Sequence, residues 1–199
     1  MPLTLLLTGF GPFPGTPDNP TGPLVKRLAR LRHPALAGVR IVPHVFETSY
    51  AAIDRDLPKL LARHRPDALL MFGLAAQAEG LRVETLARNA LKALPDVTGA
   101  LSPRAFIAAG KADRAMPAPA RQLYVAVRGA RVPVTLSRDA GGYLCNYLCW
   151  QAAAAVNKPR GPRLATFIHV PAIAPGFSLD DFTRAGTRAL IALIAAARR

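Results

Sequence analysis

The stretch VPVTLSRDAGGYLCNYLCWQAAAAV, residues 132–156, passes from a strand-like run through a pair of glycines into a mostly apolar segment of helical length. Cys145 stands just after the glycines, at the start of the predicted helix. The first N–H groups of a helix lack intrahelical acceptors and form the positive end of its dipole. This environment favours the thiolate, so the stretch predicts a nucleophilic cysteine. A small core residue is the alternative for Cys145 and is our interpretation of Cys149, one helical turn later.

Strands and helices alternate along the rest of the chain. Apolar runs at 3–8, 39–45, 68–72, 132–136 and 164–170 predict strands, and segments at 22–31, 49–64, 120–128, 142–156 and 179–198 predict helices. Residues 81–91 fit a strand or a helix, and residues 95–118 are expected to be largely irregular. The alternation predicts an α/β fold: one domain over residues 1–199, built as a three-layer α/β/α sandwich around a twisted, mostly parallel (mixed) sheet.

The composition narrows the class of protein. Hydrophobic residues make up 51% of the 199, enough for a sizeable core in one domain. Two cysteines give no disulfide framework and the N-terminus does not resemble a signal peptide, so we expect a cytoplasmic location. The longest apolar run near the C-terminus, residues 189–197, is too short for a membrane span. The net charge of +14 comes from scattered basic residues without a basic stripe among aromatics, so we expect no nucleic-acid partner.

Four loops that follow predicted strands are candidates for the functional site: 9–15, 73–80, 137–145 and 169–175. In α/β sheets, sites form beyond the carboxyl ends of the strands. If the strands run parallel, Cys145 and His169 lie at the same edge of the sheet. A cysteine with a histidine is the minimum for nucleophilic thiol catalysis. An isolated histidine at a strand end is more often a core residue, and the pairing with Cys145 favours catalysis.

Glu84 is the candidate for a third group. A thiolate–histidine pair often has such a group, which orients the imidazole. Acidic residues number only twelve, and Glu84 is unusual because the apolar residues Val83 and Leu86 flank it. The alternative is an exposed glutamate paired with Arg82 or Arg88.

The loop after the first predicted strand contains Phe10 and Phe13 among glycines and prolines. It lacks the Lys-Ser/Thr ending of a phosphate-binding loop, and its rings suit the walls of an apolar pocket. Ordinary core packing is the alternative for both rings. Histidine, cysteine and acidic residues do not occur with metal-ligand spacing, so we expect no metal site.

Short motifs occur in a fixed order along the chain. They are TGFGPF at 8–13, Asn19-Pro20-Thr21, Gly73-Leu74-Ala75, Glu84 with Ala87 and Asn89, Pro95-Asp96 with Gly99, Ser137 with AGGYLCN at 140–146, and Ile168-His169-Val170-Pro171. In this order and spacing the chain resembles the pyroglutamyl peptidase I family, the pyrrolidone-carboxylate peptidases. The corresponding family patterns include TGFEPF, ERVAxN, PDNxG and SxxAGTYxCN.

The resemblance implies a cysteine exopeptidase that removes an N-terminal pyroglutamyl residue from peptides through a thioester acyl-enzyme. It implies a triad of Cys145, His169 and Glu84, with no cofactor. Small pyroglutamylated peptides are the expected partners, and a homo-oligomer, a dimer or a tetramer, is a further expectation. The expected substrate-binding residues are Phe10, Phe13, Gly73 and Leu74.

Several positions depart from the family patterns. Gly11 replaces a glutamate, Thr85 an arginine, Gly142 a threonine and Val97 an asparagine. The arginine that relatives have just before the PDN step has no counterpart, because Lys92-Ala93-Leu94 precede Pro95. These departures keep open an alternative, a catalytically impaired relative that binds a ligand or partner. Because all three triad residues are present, we expect an active enzyme.

Overall fold

The computed structural model describes residues 2–13, 15–102, 104–156 and 158–199. Pro14 of the predicted loop 9–15 and Pro103 of the segment expected to be irregular lie outside the described residues, as do Met1 and Asn157. The strands are β1 (Leu3–Phe10), β2 (Val39–Phe46), β3 (Ala68–Leu74), β4 (Leu81–Glu84), β5 (Leu86–Ala87), β6 (Arg114–Ala115), β7 (Val134–Ser137) and β8 (Leu164–Val170). The α-helices are α1 (Thr21–Ala29), α2 (Tyr50–His64), α3 (Ala120–Arg128), α4 (Leu144–Val156) and α5 (Leu179–Ala197).

Six strands form the main sheet in the order β2-β1-β3-β8-β4-β7. Neighbouring strands pair in parallel, except that β4 runs antiparallel to β8. Strands β5 and β6 form a separate antiparallel pair. The predicted fold class, an α/β sandwich around a mostly parallel, mixed sheet, is confirmed.

Apolar side chains alternate between the two faces of the sheet. In β1, Leu5 and Leu7 pack with α1, α3 and α5, whereas Leu6 packs on the opposite face with α2 and α4. This alternation follows from the two-residue period of a strand. It buries one core on each face and produces the predicted three layers.

Serine residues cap the starts of two helices. Ser49 Oγ accepts a hydrogen bond of 3.2 Å from the Ala52 N–H at the start of α2. At the start of α5, Ser178 and Asp181 form a reciprocal capping box. Pro58 does not break α2, which continues to His64. No helix among the described residues is long and apolar enough to span a bilayer.

One premise of the sequence analysis is wrong: β7, which leads towards Cys145, does not run parallel to β8. Only residues 75–80 connect β3 to β4, whereas a parallel crossover requires roughly a dozen residues or more. Strand β4 therefore runs antiparallel to β8, and β7 follows the direction of β4. The site residues still converge, because β4 lies beside the C-terminal half of β8, with Glu84 opposite Phe167.

Candidate active site

Glu84 and His169 form a buried pair across the β4–β8 boundary. Glu84 lies opposite Phe167, so His169 is its diagonal neighbour on the same face of the sheet. His169 Nδ1 and Glu84 Oε1 are 2.8 Å apart, and the Glu84 side chain has no solvent exposure. Arg88, its alternative partner, instead lies 3.5 Å from Asp139. The exposed-glutamate interpretation of Glu84 does not fit this geometry.

Cys145 lies at the first turn of α4, against the end of β3. A Cβ atom placed on Gly73 would lie 2.7 Å from Cys145 Sγ and 2.5 Å from Phe167 Cζ. Both distances are too short for non-bonded heavy atoms, so residue 73 must lack a side chain for the sulfur to occupy this position. Sequence reasoning selected Gly73 for substrate binding, and the structure places its backbone against the half-buried sulfur.

Cys145 and Glu84 favour the charged form of the His169 imidazole. Burial alone lowers a histidine pKa, but charge interaction and hydrogen bonding with Cys145 and Glu84 outweigh burial and raise the pKa of His169 to about 9. A protonated imidazole beside a cysteine is the arrangement that favours a thiolate–imidazolium pair. The arrangement can therefore provide a nucleophile, a proton carrier and a carboxylate that orients the carrier.

Side-chain hydrogen bonds hold the start of α4 against residues 88–95. Asn146 Oδ1 accepts a hydrogen bond of 2.8 Å from the Arg88 N–H, and Asn146 Nδ2 donates to the carbonyls of Arg88 and Ala90. Tyr143 Oη donates a hydrogen bond of 2.9 Å to the Pro95 carbonyl. These contacts fix the position of Cys145 at the start of α4, where the first N–H groups have no intrahelical acceptors.

Lys92 is a neighbour of the site that sequence reasoning missed. Its N–H donates a hydrogen bond of 2.7 Å to the Gly142 carbonyl. A Cβ on Gly142 would lie 2.8 Å from Lys92 Cγ, so the lysine stem occupies the space that a threonine would need. The sequence signals for this contact are two departures from the family pattern: the glycine at position 142 and the lysine three residues before Pro95.

The loop after β1 is held by the Asn19-Pro20-Thr21 motif. Thr21 Oγ1 accepts a hydrogen bond of 3.0 Å from the Phe10 N–H, and Asn19 Nδ2 donates one of 2.9 Å to the Gly11 carbonyl. Phe10 is 2% exposed and its ring lies 6.0 Å from that of Phe46. Core packing therefore describes Phe10 better than an open pocket wall.

The other two candidates for substrate binding lie at the surface of the same end of the sheet. Phe13 is half-buried in the loop after β1, where it pairs with Thr16. Leu74 is half-buried at the end of β3, one residue beyond Gly73 and opposite Val170. Among the described residues, no group of three or more histidine, cysteine or acidic side chains is arranged to hold a metal ion.

Comparison with known proteins places this arrangement in a family. The chain matches the family model described as pyroglutamyl peptidase over residues 3–194. A pyrrolidone-carboxylate peptidase of Streptococcus pyogenes serotype M4 is 31% identical over 203 residues, covering 96% of this chain and 93% of the relative. Other strains of S. pyogenes have relatives of the same name and the same identity.

Solved structures agree over almost the full length. The pyrrolidone carboxyl peptidase from Thermococcus litoralis superposes with a TM-score of 0.90 at 24% identity, covering 98% of this chain and 95% of that one. Pyroglutamyl peptidase I of Bacillus amyloliquefaciens has a TM-score of 0.84 at 28% identity, with coverage of 99% and 98%. The predicted family and enzyme class are thus confirmed: the chain belongs to the pyroglutamyl peptidase family of cysteine peptidases.

Proposed function

We propose that this chain is an active peptidase that hydrolyses the bond after an N-terminal pyroglutamyl residue, with Cys145 as its nucleophile. His169 is the general base and acid, and Glu84 orients its imidazole. The observation that carries the proposal is the buried 2.8 Å contact between His169 and Glu84, formed beside a half-buried cysteine. Burying a charged pair costs folding free energy, and buried groups with strongly shifted pKa values cluster at functional sites.

In the first step, the Cys145 thiolate attacks the pyroglutamyl carbonyl carbon, and the carbonyl oxygen becomes an oxyanion. The N–H groups of the first turn of α4 are the proposed donors to that oxygen, and each stabilises it by about 3 kcal/mol. The helix dipole acts in the same direction.

His169 then donates its proton to the leaving amine, and the carbon–nitrogen bond breaks to give a thioester on Cys145. Water attacks the thioester while His169 accepts its proton. The thiolate leaves, pyroglutamate is released and the imidazolium is restored. Throughout this cycle, Glu84 keeps Nδ1 bound so that Nε2 can face the reacting atoms.

The lactam ring carries no charged amine, so an apolar recess with a few backbone hydrogen bonds suits it. Phe13, in the loop after β1, and Leu74, at the end of β3, are half-buried and are the proposed walls of that recess, with Gly73 as its proposed floor. Phe10 supports the recess from within the core.

A second candidate function is that of a ligand-binding relative without peptidase activity. The departures from the family pattern favour it, but two of the substituted residues, Thr85 and Gly142, make favourable contacts in the structure. Thr85 Oγ1 donates a hydrogen bond of 2.7 Å to the Ser137 carbonyl and so joins the ends of β4 and β7. Gly142 makes room for Lys92. These substitutions are accommodated next to a complete triad, and an active enzyme is therefore the better conclusion.

The test is release of a fluorogenic amine from a pyroglutamyl-linked substrate. We expect turnover by the wild type and a loss of at least roughly 10³-fold in Cys145→Ala, which removes the nucleophile. Cys149→Ala is the matched control, since it removes a thiol from the same helix but not from the site, and should stay active. A wild type without turnover, or Cys145→Ala with unchanged turnover, contradicts the proposal.

We also propose that the chain associates into a dimer or a tetramer. Val125 of α3 is 62% exposed and Leu136 of the edge strand β7 is 48% exposed, and both offer apolar surface for self-association. Light scattering on the purified chain tests this expectation, which a monomer at all concentrations would contradict.

A further inference from the structure

Arg82 lies next to the candidate active site but has no part in the chemistry described above. In the antiparallel β4–β8 pair it stands directly opposite His169. Directly opposed residues share a face of the sheet and have Cβ atoms about 4.5–5.5 Å apart. The half-buried Arg82 is therefore the first residue beyond the imidazole in the direction of β7.

Arg82 lines two adjoining cavities. The smaller, of about 460 Å³, is formed with residues 75–78 of the loop that follows β3. The larger, of about 900 Å³, extends between that loop, α3 and β7, where Tyr124, Arg128 and Arg131 also line it. The two cavities share Gln77 and Arg82, and Arg82 is the lining residue that stands opposite His169 in the strand pair. We call the two cavities together the basic channel.

The basic channel carries an excess of positive charge. Three guanidinium groups, those of Arg82, Arg128 and Arg131, face a single carboxylate, that of Glu79. In the part of the chain that the structure describes, none of the three arginines forms an ion pair within 4.0 Å. Guanidinium groups bind carboxylates in a two-point geometry, so their natural ligand here is an anionic oxygen group.

The order of the strands places the basic channel and the proposed lactam recess on opposite sides of His169. The proposed lactam recess lies on the β1 and β3 side of His169, with Phe13 after β1 and Gly73 on β3. Arg82 lies on the other side, on β4. In the proposed reaction His169 protonates the leaving amine, so a leaving part that extends away from the lactam recess passes the imidazole on the side of Arg82.

We propose that Arg82 determines specificity for the leaving part of the substrate by binding a carboxylate there, with Arg128 and Arg131 extending the positive field. This inference rests on the proposed function. The carboxylate can be the C-terminus of a pyroglutamyl dipeptide or an acidic side chain after pyroglutamate. Both sources present the same group to the same guanidinium.

Two matched pairs of substrates distinguish the sources. Pyroglutamyl-alanine and pyroglutamyl-alaninamide differ only at the C-terminus, and pyroglutamyl-aspartyl amide and pyroglutamyl-asparaginyl amide differ only in the side chain. For the wild type, we expect kcat/KM to be roughly tenfold higher for the charged member of at least one pair, mainly through a lower KM. Raising the salt concentration should reduce this ratio, because the channel is open to solvent.

Variants then assign the preference to Arg82. The charged-to-neutral ratio should fall to near one in Arg82→Gln, recover in part in Arg82→Lys, and stay at its wild-type value in Arg30→Gln, which removes an exposed charge from the end of α1. A wild type that hydrolyses all four substrates with equal kcat/KM overturns the inference while the proposed function stands. An Arg82→Gln variant that loses charged and neutral substrates equally also overturns it. A wild type that hydrolyses none of them overturns the proposed function, and the inference with it.

Discussion

Two cysteines one turn apart in α4 have different surroundings. Cys145 is half-buried against the backbone of Gly73 and contributes to the raised pKa of His169. Cys149 is completely buried in the core between α4 and the sheet. Burial raises the pKa of the Cys149 thiol well above its usual range, and the negative charges of Cys145 and Glu84 add to the shift. Cys145 and Cys149 are the same residue type in the same helix. The difference in their thiol chemistry therefore comes from their positions, which are one turn apart along the helix axis.

The largest effect should come from filling the space beside the Cys145 sulfur. Gly73→Ala places a Cβ where the sulfur and the Phe167 ring now lie, so one of them must move. We expect roughly 100-fold lower kcat/KM, the effect of displacing a reacting group by about 1 Å. Gly22→Ala in α1 is the control, because its Cβ would make ordinary contacts of 3.4 Å or more. Equal kcat/KM in the two variants would contradict the placement of the sulfur.

The next prediction concerns the charged imidazole of His169, which distinguishes the surroundings of Cys145 from those of Cys149. Because its pKa is raised from 6.5 to about 9, His169 stabilises the fold fully below pH 6.5, and this contribution is lost as the pH rises through about 9. The kcat/KM should fall over the same alkaline range, since the proton that His169 donates to the leaving amine is lost.

Glu84→Gln sharpens that test. Removing the carboxylate charge lowers the pKa of His169, so the alkaline fall in kcat/KM should move to lower pH. A fall of about one unit in the pKa of His169 lowers kcat/KM roughly twofold at pH 8 and roughly tenfold at pH 10. Glu47→Gln, a change of the same kind at an exposed position away from the site and the basic channel, should leave the pH profile as it is. Two variants with the same profile would show that Glu84 does not act on His169.

A smaller effect is expected on the loop that leads to Cys145. Gly142→Thr restores the family's residue but collides with the Lys92 stem, so the free energy of unfolding should fall by about 1–3 kcal/mol. Trimming the stem in the Gly142→Thr, Lys92→Ala double variant should recover part of this loss. Urea unfolding measures both values. Additive losses in the double variant would contradict the packing of Lys92 on residue 142.

The sequence was sufficient for the features that depend on local patterns. The alternation of apolar runs predicts the central strands and the helices, and Ser49 and Ser178 mark helix starts through their capping hydrogen bonds. The motif order identifies the family, because Cys145, His169 and Glu84 occur at the family's spacing.

Other features depend on tertiary packing, and sequence patterns do not report it. The direction of β7 follows from the short β3–β4 connection and the insertion of β8 between β3 and β4. The contact between Gly73 and the Cys145 sulfur joins residues 72 positions apart. Phe10 looked like a pocket wall because it follows a strand at the site, yet the Thr21 hydrogen bond holds its backbone while its ring packs in the core.

Alkylation of the folded wild-type chain by iodoacetamide at neutral pH, followed by mass spectrometry of the peptides, tests the central claim most directly. The account predicts rapid incorporation of one equivalent at Cys145, with Cys149 modified only after unfolding and no rapid labelling in Cys145→Ala. A folded chain whose Cys145 reacts no faster than an ordinary thiol, or whose Cys149 reacts first, would contradict it.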